Sequence, residues 1–275
     1  MKMFGECHAH IFLNGYDYRK AVETQKNGPR DTLIRAHFEE YRKRGIRFVR
    51  DGGDHYGVSK RAARLAPEYE IDYRTPVFAI YKEGHYGKIV GKSFSDMKEY
   101  HRRVLEAAAE GADFIKIMTT GLLDFADHGK ITGTPLSATD VKEMVHIAHE
   151  EGFAVMSHTN GCYGVQAAVE AGVDSIEHGN YMDDETISML ADSEGLQLRT
   201  RSSRYVVRSD EALLRRILQI ASAPESNDLI VDFFAGTGNH RFRCFCHAQT
   251  HFIFSSHHFT AQRVRVDVGN FYIDE

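Results

Sequence analysis

The chain has 275 residues, 42% of them apolar and 27% charged, with a formal net charge of −5. That length suits one barrel-sized domain or two smaller ones, and the composition is that of a globular fold in water. The negative balance gives no general reason to expect nucleic acid or an anionic membrane as partner. Four cysteines (Cys7, Cys162, Cys244 and Cys246) are too few and too scattered for a disulfide framework and fit a reducing cytoplasm. The opening residues contain no apolar run of signal-peptide length, and no stretch approaches the roughly 20 apolar residues of a membrane span.

In chain order, a short strand leads into Glu6-Cys7-His8-Ala9-His10, and a polar loop follows from Asn14 to Arg30. Leu33, Ile34, Ala36, Phe38 and Tyr41 recur at helical spacing between Asp31, a suitable N-cap, and Gly45. Ile46 to Arg50 reads as a strand ending in Asp51-Gly52-Gly53, followed by a short helix near Val58 to Leu65. Asp72 to Ile80 is the third strand, with Pro76 near its start or at a bulge. A helix from Ser95 to Glu110 is capped by Ser95 and closed by Gly111; Asp113 to Met118 is the fourth strand. The long loop Thr119 to Ser137 has the length of a lid or binding loop. Helix Thr139 to Glu151, strand Phe153 to Ser157, helix Gly164 to Ala171, strand Val173 to Glu177 and helix Asp183 to Ala191 complete six β-α units. Such alternation predicts a parallel sheet with right-handed crossovers, and at roughly 30 residues per unit it points to the (β/α)8 TIM-barrel type, with active groups at the C-terminal strand ends.

Those strand ends carry a recurrent chemistry. His8 and His10 alternate onto the same face of the first strand, and neutral imidazoles side by side suit zinc or a similar divalent metal. The fourth strand carries Lys116 between Ile115 and Ile117, the fifth ends in Ser157-His158, and the sixth in Glu177-His178-Gly179. A lone buried ammonium is costly. Lys116 therefore pairs with a carboxylate at the barrel mouth, or reacts with CO2 to become a carbamate, an anionic two-oxygen ligand able to bridge two metals. Any one of these histidines alone reads as a hydrogen-bonded core or surface residue; four of them with one lysine at successive strand ends read as a metal site. Arg50, Tyr81, His85 and Asn160 are further mouth positions for binding a carboxylate or carbonyl, although each alone is more often a loop or surface residue.

Five stretches together resemble the amidohydrolase superfamily, and within it the imidazolonepropionase-like and prolidase-like branch. They are Cys-His-Ala-His at 7–10, Phe-Val-Arg-Asp-Gly-Gly at 48–53, Phe-Ile-Lys-Ile at 114–117, Ser-His-Thr-Asn-Gly at 157–161 and Gly-Val-Asp-Ser-Ile-Glu-His-Gly at 172–179. The resemblance covers about residues 1–192. It implies His8 and His10 on a more buried metal, His158 and His178 on a more exposed one, and carboxylated Lys116 between them, with two zinc ions per chain. It also implies hydrolysis of an amide or peptide-like C–N bond by a metal-activated hydroxide, with a lid at Gly121 to Ser137. The family's β-sandwich segment and its strand-eight aspartate, in a Gly-Ser/Thr-Asp-Ala context, have no counterpart here. The catalytic base is therefore unassigned, Asp232 and Asp267 having no supporting context, and an inactive truncated or chimeric remnant is the competing reading.

Residues 193–275 read differently and are expected not to be a native part of the barrel. Lys142 is the last lysine, and all ten Lys/Arg residues from Glu194 onward are arginine. A stretch at about 205–238, ending in Asp-Phe-Phe-Ala-Gly-Thr-Gly, resembles DNA amino-methyltransferases, in which such glycines let the backbone approach S-adenosylmethionine. Only about 35 residues match and the family's Asp/Asn-Pro-Pro-Tyr-like tetrapeptide is absent, so a methyltransferase fragment is the least favoured reading. From Asn239 onward, Cys244, Cys246, His247 and His251 suggest either a zinc module or, more in keeping with the absence of any periodicity, a joined or shifted reading frame.

Overall fold

Alternating apolar strands and amphipathic helices fold as a wound parallel sheet. The computed structural model describes residues 4–124, 126–127 and 129–192, with two short strands beyond them. The order is β1 (Phe4–Ala9), α1 (Tyr18–Gln25), α2 (Asp31–Lys43), β2 (Ile46–Asp51), α3 (Val58–Leu65), β3 (Asp72–Arg74), β4 (Ala79–Lys82), β5 (Gly91–Phe94), α4 (Met97–Glu110), β6 (Ile115–Met118), α5 (Ala138–Glu150), β7 (Val155–Thr159), α6 (Cys162–Ala171), β8 (Ser175–His178) and α7 (Asp184–Asp192). Strands β9 (Leu229–Asp232) and β10 (His251–Phe254) pair in parallel with each other. Among the described residues no helix is long and apolar enough to cross a membrane.

All pairings between these strands are parallel, in the orders β1-β2-β3 and β5-β4-β6-β7-β8. The predicted third strand is broken into β3, which pairs with β2, and β4, which pairs with β6. The break is a tight turn: Phe78 N donates to Pro76 O at 2.8 Å, and the intervening Val77 is held at φ +65°. Thr75 O accepts from Asp113 N at 2.8 Å, so the two halves bridge β2 to β6 as one kinked strand. Six barrel positions follow one another as the periodicity predicts, and the fold is of the (β/α) TIM-barrel type.

Several local expectations are corrected. The predicted polar loop 14–30 contains α1, capped by Asp17 accepting from Lys20 N. β5 is an additional strand at the flank of β4. The N-cap of α4 is Asp96, while Ser95 donates both its backbone N–H and its hydroxyl to Glu99. α5 begins at Ala138, one residue earlier than expected, with Ser137 as its N-cap. β10 lies in the tail, where no periodicity marked a strand.

Ile115, Ile117, Val155 and Ile176 face outward and pack under α4 to α7 with Tyr100, Val104, Val141, Met144 and Val165. The alternate residues Lys116, Met118, Met156, His158 and Glu177 are left for the barrel interior, the period-two logic of a strand buried on both sides. A second cluster joins β1 and β2 to α2 and α3 through Ile34, Phe38, Val49, Val58 and Ala62.

Tyr100 on α4 is fully buried against Phe94, with ring centres 5.2 Å apart, and its hydroxyl has no hydrogen-bond partner among the described residues. Replacing a buried unsatisfied donor by an apolar isostere removes a desolvation cost of about 1–3 kcal/mol. Tyr100→Phe is therefore expected to be neutral or stabilising in urea unfolding. Ile117→Ala, in the same cluster, is expected to lose about 2–5 kcal/mol. A loss above about 1 kcal/mol for Tyr100→Phe would mean that its hydroxyl is bonded after all.

Candidate active site

β1 carries His8 and His10 into the lumen. His10 Nδ1 donates to Gly53 O at 2.9 Å, which leaves Nε2 free. Two glycines make this possible. A Cβ on Gly52 would lie 2.4 Å from His10 Cε1, and one on Gly53, at φ +81°, would lie 2.8 Å from Phe78 Cα. Asp51 fixes the same corner: its carboxylate accepts from Ile11 N at 2.8 Å, Gly53 N at 2.7 Å and Ser59 Oγ at 2.8 Å.

β8 supplies Glu177 and His178. Glu177 Oε2 lies 2.8 Å from His8 Nδ1, and Oε1 accepts from Arg50 Nη2 at 2.5 Å and Ser175 Oγ at 2.6 Å. Burial alone would raise this carboxyl, but Arg50, His8 and Lys116 together hold it well below the usual carboxylate range. His178 ends the strand at φ +77°, a left-handed conformation uncommon for a residue with a side chain and the kind of local strain that gathers at functional sites. On β7, His158 Nε2 donates to Gly121 O at 3.1 Å, leaving Nδ1 free, and Tyr86 lies beside its ring at 5.1 Å.

The four rings form a chain. Ring centres are 5.4 Å apart for His10–His8, 4.8 Å for His8–His178 and 4.6 Å for His178–His158. Two imidazoles bound tetrahedrally to one zinc at about 2.0–2.1 Å have centres roughly 5 Å apart. Burial, reinforced by neighbouring cationic groups, keeps all four neutral: His8 is pushed down to about 3, and His10, His158 and His178 are lowered too. Lys116 is 1% exposed and its Nζ has no hydrogen-bond partner among the described residues. Desolvation pushes this amine down to about 7, against the opposing pull of Glu177. Among the described residues no three His, Cys, Asp or Glu side chains are already disposed as a complete ligand set.

All five sequence-derived positions thus reach one lumen. Of the auxiliary mouth residues, Arg50 is engaged by Glu177, and His85 Nδ1 donates to Thr134 O at an exposed position. Asn160 is buried, donating to Gly121 O and accepting from Asn180 Nδ2, while Tyr81 backs onto Gly87. Asp267 lies outside the described residues, and Asp232 closes β9. Sequence reasoning gave no role to Glu177 or Asp51; their one signal is a carboxylate at or next to the C-terminal end of a barrel strand.

Fold and lumen together define a (β/α)-barrel protein with a buried centre of four histidines and a lysine. The sequence model of the amidohydrolase family matches residues 8–198, and the chain belongs to that family. Over 106 residues it is 30% identical to the ochratoxinase of Aspergillus niger, covering 38% of this chain and 22% of that protein. A solved Xaa-Pro dipeptidase with methionine bound in its active site superposes with a TM-score of 0.57 at 21% identity, covering 74% of this chain and 52% of that one. The A. niger ochratoxinase structure superposes with a TM-score of 0.55 at 17% identity, covering 70% and 50%. The chain spans about half the length of these solved relatives.

Gly52→Ala is expected to turn the His10 ring away from Gly53 O while the fold persists, because the new Cβ collides with a side chain rather than with backbone. Side-chain 1H–15N spectra of metal-free protein would report the lost hydrogen bond; an unchanged His10 signal in the variant would show that the lumen is looser than these distances state.

Proposed function

We propose that the chain is a metal-dependent hydrolase of amide or peptide-like C–N bonds, with zinc held by His8, His10, His158 and His178. The observation that carries this reading is the convergence of four neutral imidazoles on the unpartnered, sealed amine of Lys116. That donor set fits the group: three rings have one nitrogen occupied by an acceptor (Glu177, Gly53 O, Gly121 O) and the other left for coordination. The lysine fits as well. Its neutral amine can add to the carbon of CO2 and release one proton, giving an N-carboxylate with two donor oxygens. The family membership and the likeness to a dipeptidase fold support the substrate class. When bound, divalent cations lower the pKa of a coordinated water and polarise a carbonyl.

The chain's own residues do the rest. The imidazoles stay unprotonated because burial disfavours their charged forms, Arg50 keeps Glu177 anionic beside them, and Gly121 O orients His158. The reading extends to a small-molecule substrate and a cytoplasmic location, and takes residues 193–275 as no part of the barrel. Long-read sequencing of the source locus tests that last point: one unbroken frame with expressed full-length protein would refute it.

Full chain purified with zinc and bicarbonate is expected to hold up to two zinc ions by elemental analysis, and His178→Ala to hold fewer. Growth with 13C-bicarbonate should give a carbamate carbon signal that Lys116→Ala abolishes. Zinc-free wild-type protein would overturn the proposal. Turnover of dipeptides or N-acyl amino acids would separate an enzyme from an inactive remnant.

A further inference from the structure

Glu177 belongs neither to the proposed donor set nor to any backbone pairing between β8 and β1. Its carboxylate nevertheless joins three strands. Oε2 meets His8 Nδ1 of β1 at 2.8 Å, while Oε1 receives Arg50 Nη2 of β2 at 2.5 Å and Ser175 Oγ of β8 at 2.6 Å. Arg50 is itself fixed, donating Nε to Cys7 O at 2.8 Å and Nη2 to Ser175 Oγ at 3.1 Å. Glu177 is 1% exposed, so solvent does not supply substitute partners.

The direction of these bonds is set by chemistry. A guanidinium only donates and an ionised carboxylate only accepts. With Arg50 and Ser175 donating to Oε1, the remaining oxygen can only accept, so the proton of neutral His8 sits on Nδ1 and the lone pair on Nε2. We propose that the Arg50–Glu177 pair sets the tautomer of His8, making Glu177 a positioning residue that presents the Nε2 lone pair to the lumen. Only the identity of what that lone pair binds rests on the proposed function; the tautomer is a property of the metal-free chain.

A near-isosteric change makes the inference sharp. In Glu177→Gln, Arg50 still requires an acceptor, so the amide oxygen takes the Oε1 place. The amide NH2 then faces His8 Nδ1 and must donate to it. The proton of His8 moves to Nε2, and the lone pair turns away from the lumen with little change of shape. Adding Arg50→Met removes the donor that dictated the amide's orientation. The amide can flip, its NH2 now bonding Ser175 Oγ as acceptor, and its oxygen again receives His8 Nδ1–H.

The experiment uses full-length, chelator-treated protein labelled with 15N-histidine, read by long-range 1H–15N correlation, with circular dichroism as the fold check. His8 is expected as Nδ1–H in the wild type, Nε2–H in Glu177→Gln, and a mixture with Nδ1–H regained in the double variant, where nothing dictates the amide's orientation. Zinc affinity by competition titration should fall about 10–100-fold in Glu177→Gln and recover in part in the double variant. Free histidine prefers the Nε2–H form, so an Nε2–H signal from wild-type His8 overturns the inference without any variant. Retention of Nδ1–H and full zinc affinity in folded Glu177→Gln overturns it too. A tautomer switch in a chain that never binds zinc would support the inference and sink the metal reading alone.

Discussion

Titratable groups gathered in a largely buried lumen have to balance their charges, and the rest of this structure follows from how that balance is struck. Arg50 and Glu177 cancel each other at 2.5 Å. The four histidines escape the cost of burial by staying neutral. Lys116 is the group left over: buried, unpartnered and pushed down to about 7. A structural lysine in such a place would be expected to lie within hydrogen-bonding reach of a carboxylate, and Glu177 is already engaged by Arg50, Ser175 and His8. The proposed function accounts for this arrangement as a set of donors for a cation, with the amine convertible into an anion. That is why the lysine, rather than any single histidine, decides between a packed core and a site.

The barrel's alternation and its histidine positions were legible in the sequence because both depend on local rules. Apolar period-two strands, capped helices and strand-end placement put His8, His10, Lys116, His158 and His178 at one end of the fold before any contact was known. What escaped depends on tertiary partners. α1 lies in a polar stretch of low periodicity, where only Ala21 and Gln25 are buried. β5 is Gly-Lys-Ser-Phe, too short and mixed to announce a strand, and exists through its pairing with β4. The break in the third strand needs Val77 at a positive φ, which no propensity argument assigns to a β-branched residue. Arg50 was legible as a mouth cation but not as the partner of a residue 127 positions later.

The loops contribute backbone rather than side chains. Gly53 O holds His10, and Gly121 O holds both His158 and Asn160. Each carbonyl belongs to a glycine with no room for anything larger: a Cβ at Gly121 would fall against Thr132 O. A carbonyl accepts and never donates, so it fixes which ring nitrogen carries the proton regardless of pH-dependent changes nearby. Gly53 and Gly121 are thus part of the site's geometry, since their carbonyls are the acceptors that orient the imidazoles.

Across the lumen the logic differs. Among the described residues β8 and β1 share no ladder, yet His8, Glu177 and His178 meet there through side chains alone. A backbone ladder would place two strands at fixed spacing whatever their side chains. Here the first and last of the described barrel strands are linked by the Glu177–His8 hydrogen bond and by Arg50, which pairs with Glu177 and donates to Cys7 O of β1. Holding strands and presenting a lone pair are carried by the same carboxylate, because Glu177 is the residue of β8 that accepts from both His8 and Arg50.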